Sequence, residues 1–197
     1  MNDYTVISAI SQSLLELLKA GITASAEPQL TGVSVHLLSP KEMRESQNEK
    51  NGVSLWLYRI ARNPDLLNAP PRRISATQVS LYPMPLDLHF LITPLMQKPI
   101  DEQALLGRVV QLFNDSAILR GAVLQGALAG TGQEFRLILE TLTLEELTRV
   151  WAALMESYQL SLSYMVQLVI VDSPREAMHD SPVLVRETTV AQILTVN

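Results

Sequence analysis

Three histidines, His36, His89 and His179, are the side chains best suited to proton transfer or metal binding, since imidazole titrates near neutral pH and ligates transition metals. Their surroundings argue against both roles. His36 and His89 fall in the alternating apolar stretches VSVHLL and LDLHFLIT, which read as strands, and both are expected to point away from the main core face. His179 lies in MHD, near Asp172 and Asp180, but no HxH or HExxH spacing supplies a further ligand. Glu140, Glu145 and Glu146 resemble a carboxylate pair for acid–base work. Glu146, however, follows Thr143 by three residues, the spacing of a capping box, and Glu145 then sits in a first helical turn, where negative charge is favoured. Gly126, Gly130 and Gly132 hint at a phosphate loop, yet no Lys-Ser/Thr follows and the spacing is not that of a dinucleotide fingerprint; a flexible turn in a hairpin is expected instead. No serine sits in a nucleophile elbow. The sequence therefore predicts no catalytic residue, no cofactor and no metal.

The elements that would position these residues are legible from apolar periodicity. Val6, Ile7, Ile10, Leu14, Leu17 and Leu18 form the stripe of an amphipathic helix over Tyr4–Ala20, with Gly21 as its stop. Val33, Val35 and Leu37 alternate as a strand ended by Ser39–Pro40, and the polar Lys41–Gly52 reads as an exposed loop. Val53–Arg62 is a strand with two apolar faces, Val53, Leu55 and Leu57 on one and Trp56, Tyr58 and Ile60 on the other, so it is central or meets a partner. Asn63–Pro85, with five prolines, is the longest irregular stretch, of the kind that is often functional. Leu86–Thr93 is a strand with Leu86, Leu88, Phe90 and Ile92 toward the core, and Asp101 is placed as the cap of a helix to about Asn114, with Leu105, Leu106, Val109, Val110, Leu112 and Phe113 along its apolar side. Ala117–Gly132 is ambiguous.

The segment Phe135–Ser173 is the most structured on paper. A short strand (Phe135, Leu137, Leu139) leads through the Thr143–Glu146 box into a helix marked by Leu144, Leu147, Val150, Trp151, Leu154 and Met155. A long strand follows, with Leu160, Leu162, Tyr164, Val166, Leu168 and Ile170 on one face. This strand–helix–strand unit is expected to bury much of its surface and to display no catalytic side chain. The C-terminal run VLVRETTVAQILTVN, with Val183, Val185, Val190 and Ile193, is β-branched and lacks Pro and Gly, which suits either an edge strand of its own domain or one added to a neighbour's sheet. Trp56 and Tyr58 are placed either in a second core layer or at an aromatic contact surface.

Composition bounds the rest. At 197 residues the chain suits one substantial domain. We expect a single α+β domain over 1–173, a mixed or mostly antiparallel sheet packed on about three helices, followed by a C-terminal β tail over 174–197. Apolar residues make up 47% and charged residues 18%, fewer charges than usual, which fits either a larger core or apolar surface covered by a partner. A net charge of −5 without a basic run argues against nucleic-acid binding. The absence of cysteine fits the cytosol and excludes disulfides and thiolate metal sites. The N-terminus carries Asp3 where a secretion signal has basic residues, and Glu16 and Lys19 interrupt its apolar part, so neither a signal nor a membrane span is expected.

Four stretches in this order, VSLWLYRI (Val53–Ile60), PLDLHFLITP (Pro85–Pro94), LLGRVVQLFND with the following AILRG (Leu105–Gly121) and LETLTLEELTRVWAAL…YQLSLSYMVQLVIVDS, together resemble the N-terminal domain of the cap, or tail-terminator, proteins of phage-tail-like extracellular contractile injection systems. The resemblance implies a hexameric homo-oligomeric ring that binds inner-tube and sheath proteins, ends their polymerisation and holds the last sheath layer extended. It implies no chemistry, no membrane partner, and assembly in the cytoplasm of the producing cell as part of a particle whose final location, released or not, varies. Some such proteins continue well past this domain, whereas this chain stops shortly after its last strands, so the tail is expected to take over sheath binding. A baseplate or adaptor subunit of the same kind of particle, or a small-ligand enzyme working near His89 or His179, are the competing expectations.

Overall fold

The computed structural model describes residues 4–46, 51–66, 72–73, 78–80, 84–171 and 178–179. The N-terminal helix α1 (Val6–Thr23) places Val6, Ala9, Ile10, Ser13, Leu14, Leu18 and Ile22 in the core at intervals of one helical turn. At 18 residues and mean hydropathy 1.2 it matches a membrane span in length and composition, but half of it is buried inside the protein. Gly21 does not stop it. A methyl group there would collide with the Leu112 side chain, and the Gly21 carbonyl accepts from Arg108 Nη2 at 3.0 Å, so the glycine permits close helix contact.

Strand β1 (Ser34–His36) runs parallel to β2 (Gly52–Arg62). A parallel pair needs a crossover, and α2 (Pro40–Glu45) lies in it. This helix takes up the first part of the stretch Lys41–Gly52, expected as an exposed loop, of which residues 47–50 lie outside the described residues. Ser39 Oγ accepts the Glu42 N–H while the Glu42 carboxylate accepts the Ser39 N–H at 2.8 Å, a second capping box, and Met43 is buried beneath it. The Pro-rich stretch holds β3 (Arg72–Arg73) and β4 (Gln78–Ser80), which join β9 (Met178–His179) in a small separate antiparallel sheet.

Strand β5 (Met84–Leu95) is the spine of the main sheet and directs Leu86, Leu88, Phe90 and Ile92 into the core, as the alternation predicts. Helix α3 (Pro99–Asp115) begins earlier than expected. Pro99 occupies its first turn, Lys98 is the residue before it, and Asp101 makes no capping bond. Between β6 (Ile118–Arg120) and β7 (Glu134–Leu139), the ambiguous segment forms two short 3-10 turns that press Leu124 and Leu128 against α1 and are fixed by the Gln125 N–H donating to Ser13 Oγ at 2.9 Å. Within GALAGTG, Leu128 packs on the core beside α1, while most of the segment is exposed turn. Helix α4 (Leu144–Ala153) and strand β8 (Leu162–Val171) complete the main sheet, whose order is β1-β2-β5-β8-β7-β6. All its pairs except β1–β2 are antiparallel, and its edges, β1 and β6, are three residues each.

Two bulges invert the alternation that the sequence suggests. Tyr58 is the extra residue between Leu57 and Arg59, so Ile60 lies opposite Leu88 rather than on the side of Trp56, and is 49% exposed. On β8 the register slips opposite Asp87, so Val169 and Val171, rather than Ile170, follow Val166 on the core side. Leu160 and Leu139 remain largely exposed. The result is a large core between α1, α3 and one sheet face, with Phe113 edge-on to Tyr164 at 4.8 Å, and a much smaller core under α4 on the other.

Candidate functional site

The second sheet face carries most of the polar chemistry among the described residues. Its apolar part is small: Leu91 of β5 meets Trp151 and Leu154 of α4 and its end, with Trp56, Tyr58, Leu147 and Val150 half-buried around them. The Trp56 and Tyr58 rings are 6.0 Å apart, and Trp151 lies 6.3 Å from Tyr158, near edge-on. Helix α4 starts as its sequence predicts: Thr143 Oγ1 accepts the Glu146 N–H at 3.2 Å, and Glu146 Oε2 accepts the Thr143 N–H at 2.8 Å. The Thr143 N–H and hydroxyl, both donating to Glu146 Oε2, hold the Glu146 carboxyl below its ordinary pKa. The strand–helix–strand unit buries less than expected, because Leu144 and Met155 of the predicted stripe are exposed and Trp151 is the fully buried residue of α4.

Beside this apolar patch lies a chain of polar groups contributed by four segments. Glu140, just after β7, accepts from Ser163 Oγ of β8 at 2.7 Å through Oε2 and meets His89 Nδ1 of β5 at 2.9 Å through Oε1. Ser163 Oγ is 3.0 Å from the Tyr58 hydroxyl of β2. Ser163 has one hydroxyl proton and gives it to the carboxylate, so Tyr58 donates to Ser163. By the same logic the proton of the His89–Glu140 bond sits on Nδ1. The Glu140 backbone N–H also donates to the Ser163 carbonyl at 2.9 Å, which fixes the start of the β7–α4 connection. Burial alone would raise the Glu140 pKa, but the bonds from His89 and Ser163, helped by the charges of His89 and Arg59, outweigh it and leave the group lowered. Burial raises the Tyr58 hydroxyl, and the Glu140 charge adds to that rise. This arrangement ties β2, β5 and β8 to the start of the β7–α4 connection through part-buried hydrogen bonds.

Of the residues singled out for interaction, Trp56 and Tyr58 lie side by side, half-buried under α4, in the second core layer. Val183, Val185, Val190 and Ile193 lie outside the described residues. His89 faces away from the main core, as expected, and His36 and His179 lie in β1 and β9. Among the described residues no group of three or more His, Cys, Asp or Glu is placed to hold a metal ion. Sequence spacing does not pair Glu140 with His89: 51 residues separate the two, and only the strand register brings them together. Two shallow hollows flank the turn Pro28–Leu30. One, of about 280 Å³, is lined by Glu27, Ala104, Gly107 and Arg108, and the other, of about 490 Å³, by Thr31, Asn51, Met96 and Lys98. Exposed apolar side chains gather around α4 instead, at Leu139, Leu144, Met155, Tyr158 and Leu160.

Comparison with known proteins places the fold. The chain is similar over its whole length to the sheath/tube terminator of the PVC extracellular contractile injection system, solved by cryo-EM in the extended state, with TM-score 0.66, 19% identity and coverage of 67% of that chain. It is similar over 92% of its length to the tube-terminating cap of the anti-feeding prophage, with TM-score 0.59, 19% identity and coverage of 60% of that chain. The chain thus spans about two thirds of the length of these relatives. No curated protein matches it in sequence. The model of the Pvc16 N-terminal domain matches residues 9–185, nearly the full chain, and the protein therefore belongs to the Pvc16 N-terminal domain family.

Proposed function

We propose that this protein is the cap of a contractile injection system. Its subunits form a hexameric ring that ends the inner tube and sheath and anchors the last sheath layer in its extended state. The observation that carries this reading is the likeness of the fold over the whole chain to a sheath/tube terminator, together with the family match over residues 9–185. The chemistry of the described residues agrees with an assembly role. The polar groups Glu140, His89, Ser163 and Tyr58 are part-buried and bond to one another, an arrangement that suits positioning a loop. On this reading the protein turns over no small molecule, and it assembles in the cytoplasm of the cell that makes the particle. Its partners are the tube protein, the sheath protein and further copies of itself. The 174–197 segment is proposed to pair with the sheath lattice as an added strand, giving affinity through main-chain bonds.

The test uses particles from cells lacking this protein. Tubes of uncontrolled length, or sheaths that contract spontaneously, are the expected result. Normal tubes with stable extended sheaths would remove the cap reading, and missing baseplates would replace it with a role at the opposite end.

A further inference from the structure

We propose that α4 is a lid whose closure depends on the charge of Glu140: neutralising that carboxylate lets α4 lift from the sheet while the α1–α3 core stays folded, uncovering the Trp56, Tyr58 and Leu91 face. The inference rests on the layering of the fold and is independent of the cap reading.

The two sides of the sheet are unequally held. On one side α1 and α3 pack many fully buried residues, among them Ile10, Leu14, Leu18, Leu105, Val109 and Phe113. On the other, the buried apolar residues under α4 are Leu91, Trp151 and Leu154, and most of the helix is exposed. A segment with so few buried contacts opens at lower free energy than the molecule as a whole. At its far end α4 is tied to α2 by Arg44 Nη1 and Glu156 Oε2 at 2.9 Å, a partly exposed pair of the kind that contributes little. At its near end the tie is Glu140, three residues before the Thr143 cap, bonded through its side chain to β5 and β8. Bonds to an ionised carboxylate are the strong kind, and that added strength is lost when it is protonated.

The charged and titratable groups facing Glu140 come from each neighbouring element. They are Arg59 and Tyr58 from β2, His89 from β5 and Glu146 from α4, with the Ser163 hydroxyl from β8. Burial would raise the carboxyl, but the bonds from His89 and Ser163, with smaller help from the charges of His89 and Arg59, hold it below its ordinary value of 4.5. The sign follows. A lowered folded-state pKa means that the tie is fully present above the unfolded carboxylate value and is lost as pH falls through the folded one. The lid therefore opens in acid, below the usual carboxylate range, and not near neutrality.

The chain has two tryptophans, Trp56 and Trp151, and both lie in this layer, so their emission reports on it alone. The experiment measures hydrogen exchange and tryptophan emission on the full chain for the wild type, Glu140→Gln and Ser163→Ala. In Glu140→Gln the amides of residues 144–153 should exchange about tenfold faster or more at neutral pH. Emission should shift to the red, while the amides of α1 and β5 keep wild-type protection. Ser163→Ala, which removes one contact of the two, should move α4 in the same direction by less. On acidifying the wild type, emission should change at a higher pH than far-UV circular dichroism. Wild-type protection of α4 in Glu140→Gln would overturn the proposal. So would loss of protection in α1 and β5 together with α4, including a variant that does not fold, because Glu140 would then support the whole core rather than a lid.

Discussion

The Glu140 carboxylate sits between two opposed effects, desolvation that favours the neutral acid and donors that favour the ion, and the donors prevail. Its neighbour in sequence, Thr143, works by simpler means. The hydroxyl satisfies one backbone N–H at the start of α4, and the Glu146 carboxylate satisfies another. Thr143→Ala should therefore weaken α4 by about 1 kcal/mol, whereas Thr143→Ser, which keeps the oxygen, should cost little. Exchange rates of the α4 amides would show the difference, and equal rates for the two variants would mean that packing alone starts the helix. The capping box was legible in the sequence because its partners are three residues apart. The bonds from Glu140 were not, because they join residues 51 and 23 positions away, through a register that bulges adjust.

Elements with one clean apolar stripe were readable: α1, β5, α3 and the first turn of α4 stand close to where periodicity puts them. The misplacements have specific causes. Helix α2 is hidden by its polar composition, KEMRE, although Ser39 and Glu42 announce it with the same capping pattern that marks α4. The bulges at Tyr58 and on β8 each shift alternation by one, so Ile60 and Val169 appear on the side opposite to that expected. Glycine misleads at Gly21, where it serves packing rather than termination. A related close approach occurs at Gly52, where a Cβ would stand 2.6 Å from both the Ser34 carbonyl oxygen and Met43 Cε. Gly52→Ala should force β1 and α2 away from β2 and cost about 1–3 kcal/mol. Gly132→Ala, with nothing within 4 Å of the added methyl, is the control. Thermal melting compares the two, and equal melting temperatures would show that β1 yields without cost.

At the scale of the whole molecule, a ring subunit needs two different lateral surfaces that fit each other, since a heterologous contact closes on itself when its rotation permits. The sequence could not show which surfaces these are, because apolar periodicity reports burial within a chain and not between chains. Deleting residues 180–197 separates lateral from axial contacts. Under the proposed role, light scattering gives the same mass with and without the segment, while attachment to the sheath is lost. Attachment that survives the deletion would rule the segment out as the added strand. The two edges of the main sheet carry one more consequence. Each offers only three residues of free backbone, too short a template for another chain to zip onto unaided. Among the described residues, such short edges guard the main sheet against edge-to-edge association between copies.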